Sequence, residues 1–546
     1  MRRPPGYAWP VILWLLLFGA LPMARLLAEA LHPGAFHGLM ADASAWRAAG
    51  RSIVLAACST MLATAIAAVL ASALFLHSIP ARRLLIFLSI LPLLVPPQVM
   101  ALAFAQAVGP SSPLLLMLDM APPLGTPNPI YGLGGMVLLL GIQGAPLVML
   151  AIAALLRRLP GEAVLAAQGL GAHPALALRR IVWPLLWPGL MSGAALAFLA
   201  ALGNFGIAAM LGIPGRYVVL PVLIWQRLSG AGVAGLGQAA ALSVMLAVLA
   251  LPAIWAQSRA ARSASLPEGQ PFKPLPLHPA VSLVISVVVG VYLFVVLGLP
   301  LVALVISAVV PALGVAPTAS SITLRHFSEA LLPGAQTLSA LANSFSLAVL
   351  AAIVLALAAL PVALMARNRA VRLAMGMADL TNALPGACTA IAAILVVLTV
   401  PGASALYGSL ALIGLAYLAK FQSLAVRPVS VAAARLDPRL DAAAASLGAG
   451  WWRRLRSVHL PALAPAAMAG GVLVVLLAVN EVTISSLLHG PGQQTIGVLV
   501  FNLQDSGQAP LAAAVSCIAL LLVAALMALA TLAAGRLPAG TLPWKP

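Results

Sequence analysis

The chain has 546 residues, of which 63% are hydrophobic and only 7% are charged. Average soluble domains carry about 25% charged residues, and a water-soluble globule of this size cannot bury so much apolar surface. A membrane-spanning helix needs roughly 20 apolar residues. The composition therefore excludes a soluble globular protein and provides material for about a dozen membrane spans.

Twelve apolar runs are long enough to cross a bilayer, and each predicts a helix. Six of them precede a polar segment rich in proline and serine, 257–279, and six follow it. This composition is typical of a linker. In chain order the predicted spans are 9–31, 52–77, 84–109, 131–156, 185–212, 232–256, 280–310, 338–365, 373–400, 404–427, 462–488 and 508–534.

The net charge of +18 comes from positive residues scattered between apolar runs. Such scatter does not favour a nucleic-acid partner, whereas the excess of Lys and Arg in cytoplasmic loops explains it. With both termini in the cytoplasm, all but seven of the 29 Lys and Arg residues fall on the cytoplasmic side. The seven exceptions are Arg25, Arg47, Arg51, Arg216, Arg227, Arg325 and Lys420.

The cysteine and histidine residues do not indicate a disulfide framework or a metal site. Cys58, Cys388 and Cys517 each lie inside an apolar run, where packing is the simplest interpretation. The eight histidines show no zinc-like spacing. We therefore expect no metal and no cofactor in this chain.

The two halves repeat at an offset of 277 residues, without a gap over about 40 residues. Since each half has six spans, the repeat is parallel, with an axis along the membrane normal. The sequence therefore predicts an all-α membrane protein of about 12 transmembrane helices, with domains at 1–256 and 280–546 joined by a cytoplasmic linker at 257–279. The matched pairs include Leu170–Ala172 with Leu447–Ala449, Arg179 with Arg456, Pro184 with Pro461 and Gly193 with Gly470.

Each half has an unusual loop between its fourth and fifth spans, at 157–184 and 428–461. The loop begins with a helix-prone stretch of small apolar residues, which Gly171 or Gly448 is predicted to end. A basic second helix follows and is predicted to end at Pro184 or Pro461. An exposed apolar helix needs a partner surface. The alternative is an interfacial helix on lipid headgroups.

The spacing within these loops resembles the EAA loop of binding-protein-dependent ABC importer permeases. In that pattern a glycine is followed, after nine residues, by I-x-L-P, and both Gly171 to Pro184 and Gly448 to Pro461 fit it. The glutamate of the family would fall at Leu165 and Ala442, so the acidic residue is missing in both copies. The resemblance implies ATPase-coupling residues at Leu165, Ala166, Ala167, Leu170, Gly171, Ala172, Pro184, Ala442, Ala443, Ala444, Leu447, Gly448, Ala449 and Pro461.

Three further segments, Pro129–Gly135, Gly203–Ile207 and Asn480–Val482, resemble fused ferric-iron-type permeases. This resemblance implies a permease of the bacterial inner membrane that works with two cytoplasmic ATPase subunits and a periplasmic binding protein. It weakly favours ferric iron as the solute, with thiamine or a phosphonate as alternatives.

The sequence also indicates where ATP would bind. A P-loop needs a lysine directly after glycine, and none of Lys273, Lys420 and Lys545 follows one. ATP is therefore expected on the partner chains, and this chain is not expected to be an enzyme.

Ionisable residues inside the membrane are candidates for the translocation pathway, because their burial costs about 2.5–3.5 kcal/mol on insertion scales. Glu481 is one such residue. The neutral Asn204 is its repeat equivalent, and the two are predicted to face each other across a central pathway. Asp379 is a third candidate. The alternative role for these side chains is a structural hydrogen bond between helices. Lys420 is expected either to extend to the cytoplasmic face or to pair with an acid.

Two other classes of protein fit the sequence less well. A twelve-span secondary transporter coupled to protons or sodium would need more ionisable residues deep in the bundle. A membrane scaffold or polytopic enzyme is the second alternative, but no cluster of His, Asp or Cys supports catalysis.

Overall fold

The chain forms long apolar helices. A computed structural model describes residues 8–123, 125–157, 159, 161–230, 232–263 and 274–533. The predicted linker is described only at its two ends, and the predicted cytoplasmic residues Arg2, Arg3, Arg158, Lys273, Arg536 and Lys545 lie outside the described residues. The helices of the first half are α1 (Ala8–Leu15), α2 (Leu21–Ala30), α3 (Pro33–Ala41), α4 (Ala43–Ala71), α5 (Arg82–Leu94), α6 (Pro97–Val108), α7 (Pro113–Met117), α8 (Leu133–Leu156), α9 (Gly161–Gly169), α10 (Pro174–Ala177), α11 (Trp183–Leu202), α12 (Leu220–Gly230) and α13 (Gly232–Ser263).

The second half repeats this order with loops of different length. Two short parallel strands, β1 (His77–Ser78) and β2 (Leu275–Pro276), pair across the halves. The helices of the second half are α14 (Pro279–Leu293), α15 (Leu299–Val309), α16 (Arg325–Leu331), α17 (Gln336–Leu364), α18 (Arg369–Ala383), α19 (Gly386–Thr399), α20 (Leu410–Arg435), α21 (Pro438–Ser446), α22 (Trp451–Arg454), α23 (Leu460–Ala478), α24 (Thr483–Leu488), α25 (Ile496–Asp505) and α26 (Ala509–Ala533). Single π-helical segments lie at Leu16–Ala20, Ser72–Leu76, Leu178–Val182, Ala208–Gly212, Phe294–Gly298 and Leu455–His459, and a 3₁₀ turn lies at Ala403–Leu406.

The number of long apolar helices confirms the predicted fold class. Among the described residues, eleven helices are long and apolar enough to span a membrane, and α18 with α19 makes a twelfth if this bent pair counts as one span. Such lengths match the hydrocarbon thickness of a bilayer. The chain is therefore an all-α, multi-pass membrane protein.

Proline breaks the third span of each half, which the apolar pattern had predicted as continuous. In the first half α5 ends at Leu94 and α6 begins at Pro97. In the second half α18 ends at Ala383, Pro385 follows, and α19 leaves at an angle of 117°. Proline lacks the N–H that a continuous helix needs and disfavours helical geometry in the preceding residue. Both breaks therefore expose backbone carbonyl groups inside the bundle.

The predicted spans 185–212 and 462–488 are also wrong at their C-terminal ends. Helix α11 ends at Leu202 and α23 ends at Ala478. In each half the chain turns and then forms a short buried helical segment, Ala208–Gly212 or α24. Hydropathy cannot detect these turns, because the residues on both sides are apolar.

The first span of each half packs against the other half. Helices α1 and α2 lie against α18 and α19, while α14 and α15 lie against α5 and α6. The hydroxyl of Thr381 donates to the Gly19 carbonyl at 3.0 Å, and that of Ser286 donates to the Pro80 carbonyl at 3.1 Å. The two sequence repeats are therefore interleaved in space.

The cysteine predictions are only partly correct. Cys388 and Cys517 are buried, but Cys58 is exposed. On α4 the buried face includes Leu55, Ala56 and Ser59. Cys58 falls on the opposite face of the same helix, because successive residues are 100° apart. Its predicted packing role is therefore wrong.

Candidate functional site

The first candidate coupling loop ends its helix α9 in a left-handed glycine turn. Gly171 has φ +85°. Its N–H donates to the Gln168 carbonyl at 2.9 Å, and the Ala172 N–H donates to the Ala167 carbonyl at 2.9 Å. This pair of bonds is a Schellman motif, which satisfies the last carbonyls of a helix and strongly favours glycine. The stop predicted at Gly171 is confirmed.

The second loop repeats this turn at the same offset. Gly448 has φ +78° and donates to the Ala445 carbonyl at 3.0 Å. The Ala449 N–H donates to the Ala444 carbonyl, also at 3.0 Å. Each partner lies 277 residues after its counterpart in the first loop. The two loops therefore share one backbone design down to individual hydrogen bonds.

Both turns project a leucine outward. Leu170 is 90% exposed and Leu447 is 87% exposed, although leucine is normally buried. All fourteen predicted coupling residues have the same degree of exposure as their repeat partner. Four alanines, Ala167, Ala172, Ala444 and Ala449, are half-buried, and the other ten are exposed. The structure thus presents two equivalent apolar tips to a partner, as an assembly surface requires.

The second arm of each loop continues directly into the membrane span, contrary to the predicted helix ends at Pro184 and Pro461. In the first half α10, the π segment Leu178–Val182 and α11 are contiguous. In the second half α22, the segment Leu455–His459 and α23 are contiguous in the same way. Each proline lies in the first turn after a π segment, where its missing N–H is tolerated. A force on either loop therefore reaches the bundle through continuous helix.

The two arms of each loop, α9 with α10 and α21 with α22, are packed differently in the two copies. In the first, three apolar residues are buried: Val164, Ala177 and Val182. In the second, the repeat-equivalent positions carry Asp441, Arg454 and His459. Arg454 Nη1 donates to Asp441 Oδ2 at 2.8 Å, and His459 Nε2 lies 3.0 Å from Asp441 Oδ1. The first loop therefore depends on apolar packing at these positions, and the second depends on a half-buried carboxylate.

This difference predicts that Asp441→Val alone loosens the second loop. Arg454 and His459 would lose their acceptor, at a cost of about 1 kcal/mol for partly exposed groups. We expect about fivefold faster tryptic cleavage after Arg456 of the solubilised chain, a site that every variant keeps, since local opening exposes the backbone. The control is the triple variant Asp441→Val, Arg454→Ala and His459→Val, which copies the first loop and should restore slow cleavage. Unchanged cleavage of the single variant would contradict the assignment.

The second candidate site lies where the broken spans meet the fifth spans. In the first half, Gln143 Nε2 donates to the carbonyl of Val95 at 3.1 Å, directly before Pro96. Asn204 Nδ2 lies 3.5 Å from Gln143 Oε1. The amide of Gln143 thus satisfies the carbonyl at the break of the first half, and the amide of Asn204 lies next to it.

In the second half the same positions are charged. Lys420, which is equivalent to Gln143, donates from Nζ to the carbonyls of Asn382 (2.9 Å) and Leu384, directly before Pro385. Glu481, which is equivalent to Asn204, reaches the same break, since a Cβ added at Gly386 would lie 3.0 Å from its Oε1. Lys420 therefore does not extend to the cytoplasmic face, while its pairing with an acid stays a prediction, because the partners of its Nζ are backbone carbonyls and no carboxylate of the described residues lies within ion-pair distance. We call Gln143, Asn204, Lys420 and Glu481 the central quartet, and all four are half-buried.

Asn204 and Glu481 also cap the short helical segments that follow them. Asn204 Oδ1 accepts from the Ile207 N–H at 2.9 Å, and Glu481 Oε1 accepts from the Ile484 N–H at 3.1 Å. A side-chain acceptor at this position satisfies an orphan donor of a helix N-terminus. The two residues thus have equivalent structural roles, each within its own half.

The central quartet lies at the junction of the two halves. Asn480 Nδ2 donates to the Leu94 carbonyl at 3.1 Å, so the end of α23 touches the break of the first half. Gly203 lies so close to Pro385 that an added Cβ would meet that ring at 3.1 Å. The end of each fifth span therefore contacts the broken span of the opposite half.

Asp379, the third pathway candidate, makes different contacts. Its carboxylate accepts a hydrogen bond from Ser423 and lies 3.4 Å from Arg427 Nη2. Both partners lie on α20, so Asp379 joins α18 to α20. The structure does not bring it together with Asn204.

Two features of this junction were missed by sequence reasoning. Gln143 is an amide inside an apolar run, and its alignment with Lys420 at the offset of 277 was the signal that could have identified it. The rings of Phe205, Trp225 and Phe501 form a cluster across the halves with centroids 5.8–5.9 Å apart. No local pattern relates these three aromatic residues, because Phe501 comes from the other repeat.

Comparison with known proteins agrees with this geometry. The family model described as "Binding-protein-dependent transport system inner membrane component" matches twice, at residues 61–265 and 348–539. The two matches fall on the two structural repeats. Among the described residues, no three His, Cys, Asp or Glu side chains are grouped as a metal site would require.

Several curated permeases are similar to parts of the chain. A putative 2-aminoethylphosphonate transport system permease protein from Salmonella typhimurium is 30% identical over 115 residues, 21% of this chain and 43% of the relative. A probable molybdenum ABC transporter permease protein from Haloferax volcanii is 30% identical over 211 residues, 39% of this chain and 74% of the relative. A probable sulfate transport system permease protein from Nephroselmis olivacea is 28% identical over 244 residues, 43% of this chain and 84% of the relative.

The chain spans less than half the length of the 2-aminoethylphosphonate relatives that it matches. The matches to the molybdenum and sulfate relatives cover 74% and 84% of those permeases, and such permease subunits are not themselves enzymes. With the family model matching both repeats and the loop design present in both, the chain belongs to the inner membrane components of binding-protein-dependent transport systems.

Proposed function

We propose that this chain is a fused ABC importer permease that moves a small solute inward, driven by ATP hydrolysis on two partner ATPase subunits. The observation that carries the proposal is the duplicated loop, in which Leu170 and Leu447 project from identical Schellman turns. Two equivalent apolar tips suit two copies of one partner. A periplasmic binding protein would deliver the solute from the other side.

The proposed mechanism follows from the continuity between loop and span. When the ATPases close, they would tilt α10 and α22, and the continuous helices would carry this motion to α11 and α23. The ends of these helices contact Pro385 and Leu94 of the opposite halves. Tilting would therefore change the packing at the central quartet, and we place Asn204 and Glu481 on the translocation pathway there.

For the solute we propose an oxyanion of the phosphonate, molybdate or sulfate type. The names of the three relatives mention 2-aminoethylphosphonate, molybdenum and sulfate. This support favours the phosphonate alternative over ferric iron and thiamine. We also propose that both termini are cytoplasmic, since this orientation places most Lys and Arg residues inside.

The test is uptake by cells that express this chain with an ATPase and a substrate-binding protein. We expect uptake of labelled phosphonate, molybdate or sulfate that stops when the P-loop lysine of the ATPase is replaced. Iron(III) and thiamine serve as comparison solutes. Uptake by the purified chain alone in proteoliposomes under a proton gradient would instead support the secondary transporter and contradict the proposal.

A further inference from the structure

Arginine residues accumulate on the outer side of the first half. In the proposed orientation, the outer segments of the first half contain four arginines: Arg47, Arg51, Arg216 and Arg227. The outer segments of the second half contain Arg325. Basic residues there oppose the positive-inside rule. The accumulation of arginine on the outer side of one half therefore indicates that these residues have a function there.

Two of these arginines are neutralised by neighbouring carboxylates. Arg227 Nη2 lies 2.7 Å from Asp42 Oδ2, and Arg325 Nε lies 2.6 Å from Glu329 Oε1. Burial alone would raise the pKa of Asp42, but hydrogen bonds from Ser44 and the charge of Arg227 outweigh it, and the pKa lies below its usual value. The hydrogen bond from Arg325 chiefly lowers the pKa of Glu329. Both pairs therefore stay ionised at neutral pH.

The other three arginines form no ion pair with a carboxylate in the described part of the chain. We call Arg47, Arg51 and Arg216 the outer arginine cluster. Arg51 Nη1 donates to the Arg216 carbonyl at 3.3 Å, and its guanidinium lies 4.9 Å from the centre of the Tyr217 ring. Arg47 is one turn before Arg51 on α4, and both Arg47 and Arg216 are exposed. The cluster is therefore held in place and open to a partner.

The second half has the same local structure without the charges. Ser52 Oγ accepts from the Leu220 N–H, and Ser344 Oγ accepts from the Ile496 N–H, both at 2.8 Å. This shared bond aligns Arg51 with Asn343, which is one residue before Ser344. Asn343 Nδ2 donates to the Gln494 carbonyl at 3.0 Å, two residues before Ile496, whereas the longer Arg51 donates to the Arg216 carbonyl, four residues before Leu220. The same alignment places Ser339 opposite Arg47.

We propose that the outer arginine cluster is a docking surface for an acidic patch on the soluble substrate-binding protein, and that it places one lobe of that protein over the first half. The proposal rests on the proposed function of the chain. Arginine is enriched at protein interfaces, and complementary charge raises association rates and sets orientation. Since the second half is uncharged at these positions, only one of the two docking orientations is favoured.

The one-sided placement argues for a protein rather than lipid. Both halves lie in the same leaflet, so attraction to anionic headgroups would favour arginine in both repeats. A binding protein that docks in one orientation, in contrast, needs different charges on the two halves. The asymmetry between Arg51 and Asn343 is therefore the observation that selects the partner.

The experiment measures ATP hydrolysis by the complete complex in nanodiscs while the substrate-binding protein that supports its uptake is titrated. For Arg47→Gln, Arg51→Gln and Arg216→Gln combined, we expect at least a tenfold higher half-stimulating concentration at about 50 mM salt, with the same maximal and basal rates. At about 0.5 M salt the difference should shrink, because screening acts within a few ångströms. The double variant Arg47→Gln with Arg216→Gln keeps the contacts of Arg51 and should show an intermediate shift.

The matched control is Arg325→Gln, which removes an outer arginine of the second half and should leave the titration unchanged. The docking proposal alone would be overturned if the triple variant had the same half-stimulating concentration as the wild type. It would also be overturned if Arg325→Gln raised that concentration as much as the triple variant does. An effect that disappears in nanodiscs without anionic lipid would assign the cluster to headgroups and overturn it as well. If no binding protein stimulates the wild-type complex, the proposed function fails together with it.

Discussion

The single substitution Lys420→Gln is expected to destabilise the solubilised chain, whereas the double substitution Lys420→Gln with Glu481→Asn is expected to restore most of the lost stability. Glutamine can still donate to the Leu384 carbonyl, as Gln143 does to that of Val95. The single variant, however, leaves the Glu481 carboxylate without its neighbouring cation. Breaking a fully buried ion pair costs about 3–5 kcal/mol, and for two half-buried charges that are not in direct contact we expect about 1–2 kcal/mol.

The double variant is the natural control because it reproduces the neutral amide pair of the first half. Intrinsic fluorescence of the ten tryptophans reports thermal unfolding in detergent. The coupling energy between positions 420 and 481 then follows from the double-mutant cycle. A double variant that is no more stable than Lys420→Gln would show that the charge balance is not what stabilises this junction.

The same variants separate the two roles left open for Glu481. If the residue only caps α24, Asn at position 481 should replace it, since asparagine is a good N-cap and Asn204 already caps the equivalent segment. Uptake by the stable double variant would then equal that of the wild type. A stable double variant with altered uptake would instead support the proposed place of Glu481 on the pathway.

Replacing Leu170 and Leu447 together by Asp is expected to reduce the amount of ATPase that copurifies with the chain by more than tenfold. Burying one leucine side chain contributes about 1.5–3 kcal/mol, and an unpaired carboxylate in the same interface adds a desolvation cost. Each single variant should lose part of the ATPase, because one loop remains intact. Membrane insertion should be unaffected, since both side chains are almost fully exposed.

The matched control is Leu→Met at both positions, which keeps the apolar contact and should retain the ATPase. Substituting Gly171 or Gly448 by a bulky charged residue is also expected to abolish assembly. That result would be less specific, because both glycines have positive φ and any side chain there strains the turn. Unchanged copurification of the double Asp variant would contradict the coupling assignment and favour the interfacial-helix alternative.

Much of this architecture could be predicted because its signals are local or repeat in the sequence. The apolar lengths determine the membrane class. The offset of 277 determines the duplication, and Gly171 and Gly448 determine the loop turns, because glycine tolerates the left-handed geometry that a Schellman motif requires.

Other predictions failed because the effect of a proline on a helix depends on the surrounding structure. Proline was expected to end the second arm of each loop, but Pro184 and Pro461 follow π segments and the helix continues. Proline was not expected to break the third spans, yet Pro96 and Pro385 do so. At the loops each proline lies in the first turn after a π segment, whereas at the third spans Gln143 and Lys420 bind the carbonyls directly before Pro96 and Pro385.

The sequence by itself determined the helical membrane class, the two-fold repeat and the two exposed loop tips, since these follow from composition and spacing. Only the tertiary structure decided that the first spans cross to the opposite half and that Lys420 satisfies the break before Pro385. It also decided that Arg51 and Asn343 occupy equivalent sites with different charge. These features depend on contacts between residues far apart in the chain, and such contacts leave no periodic signal in a single sequence.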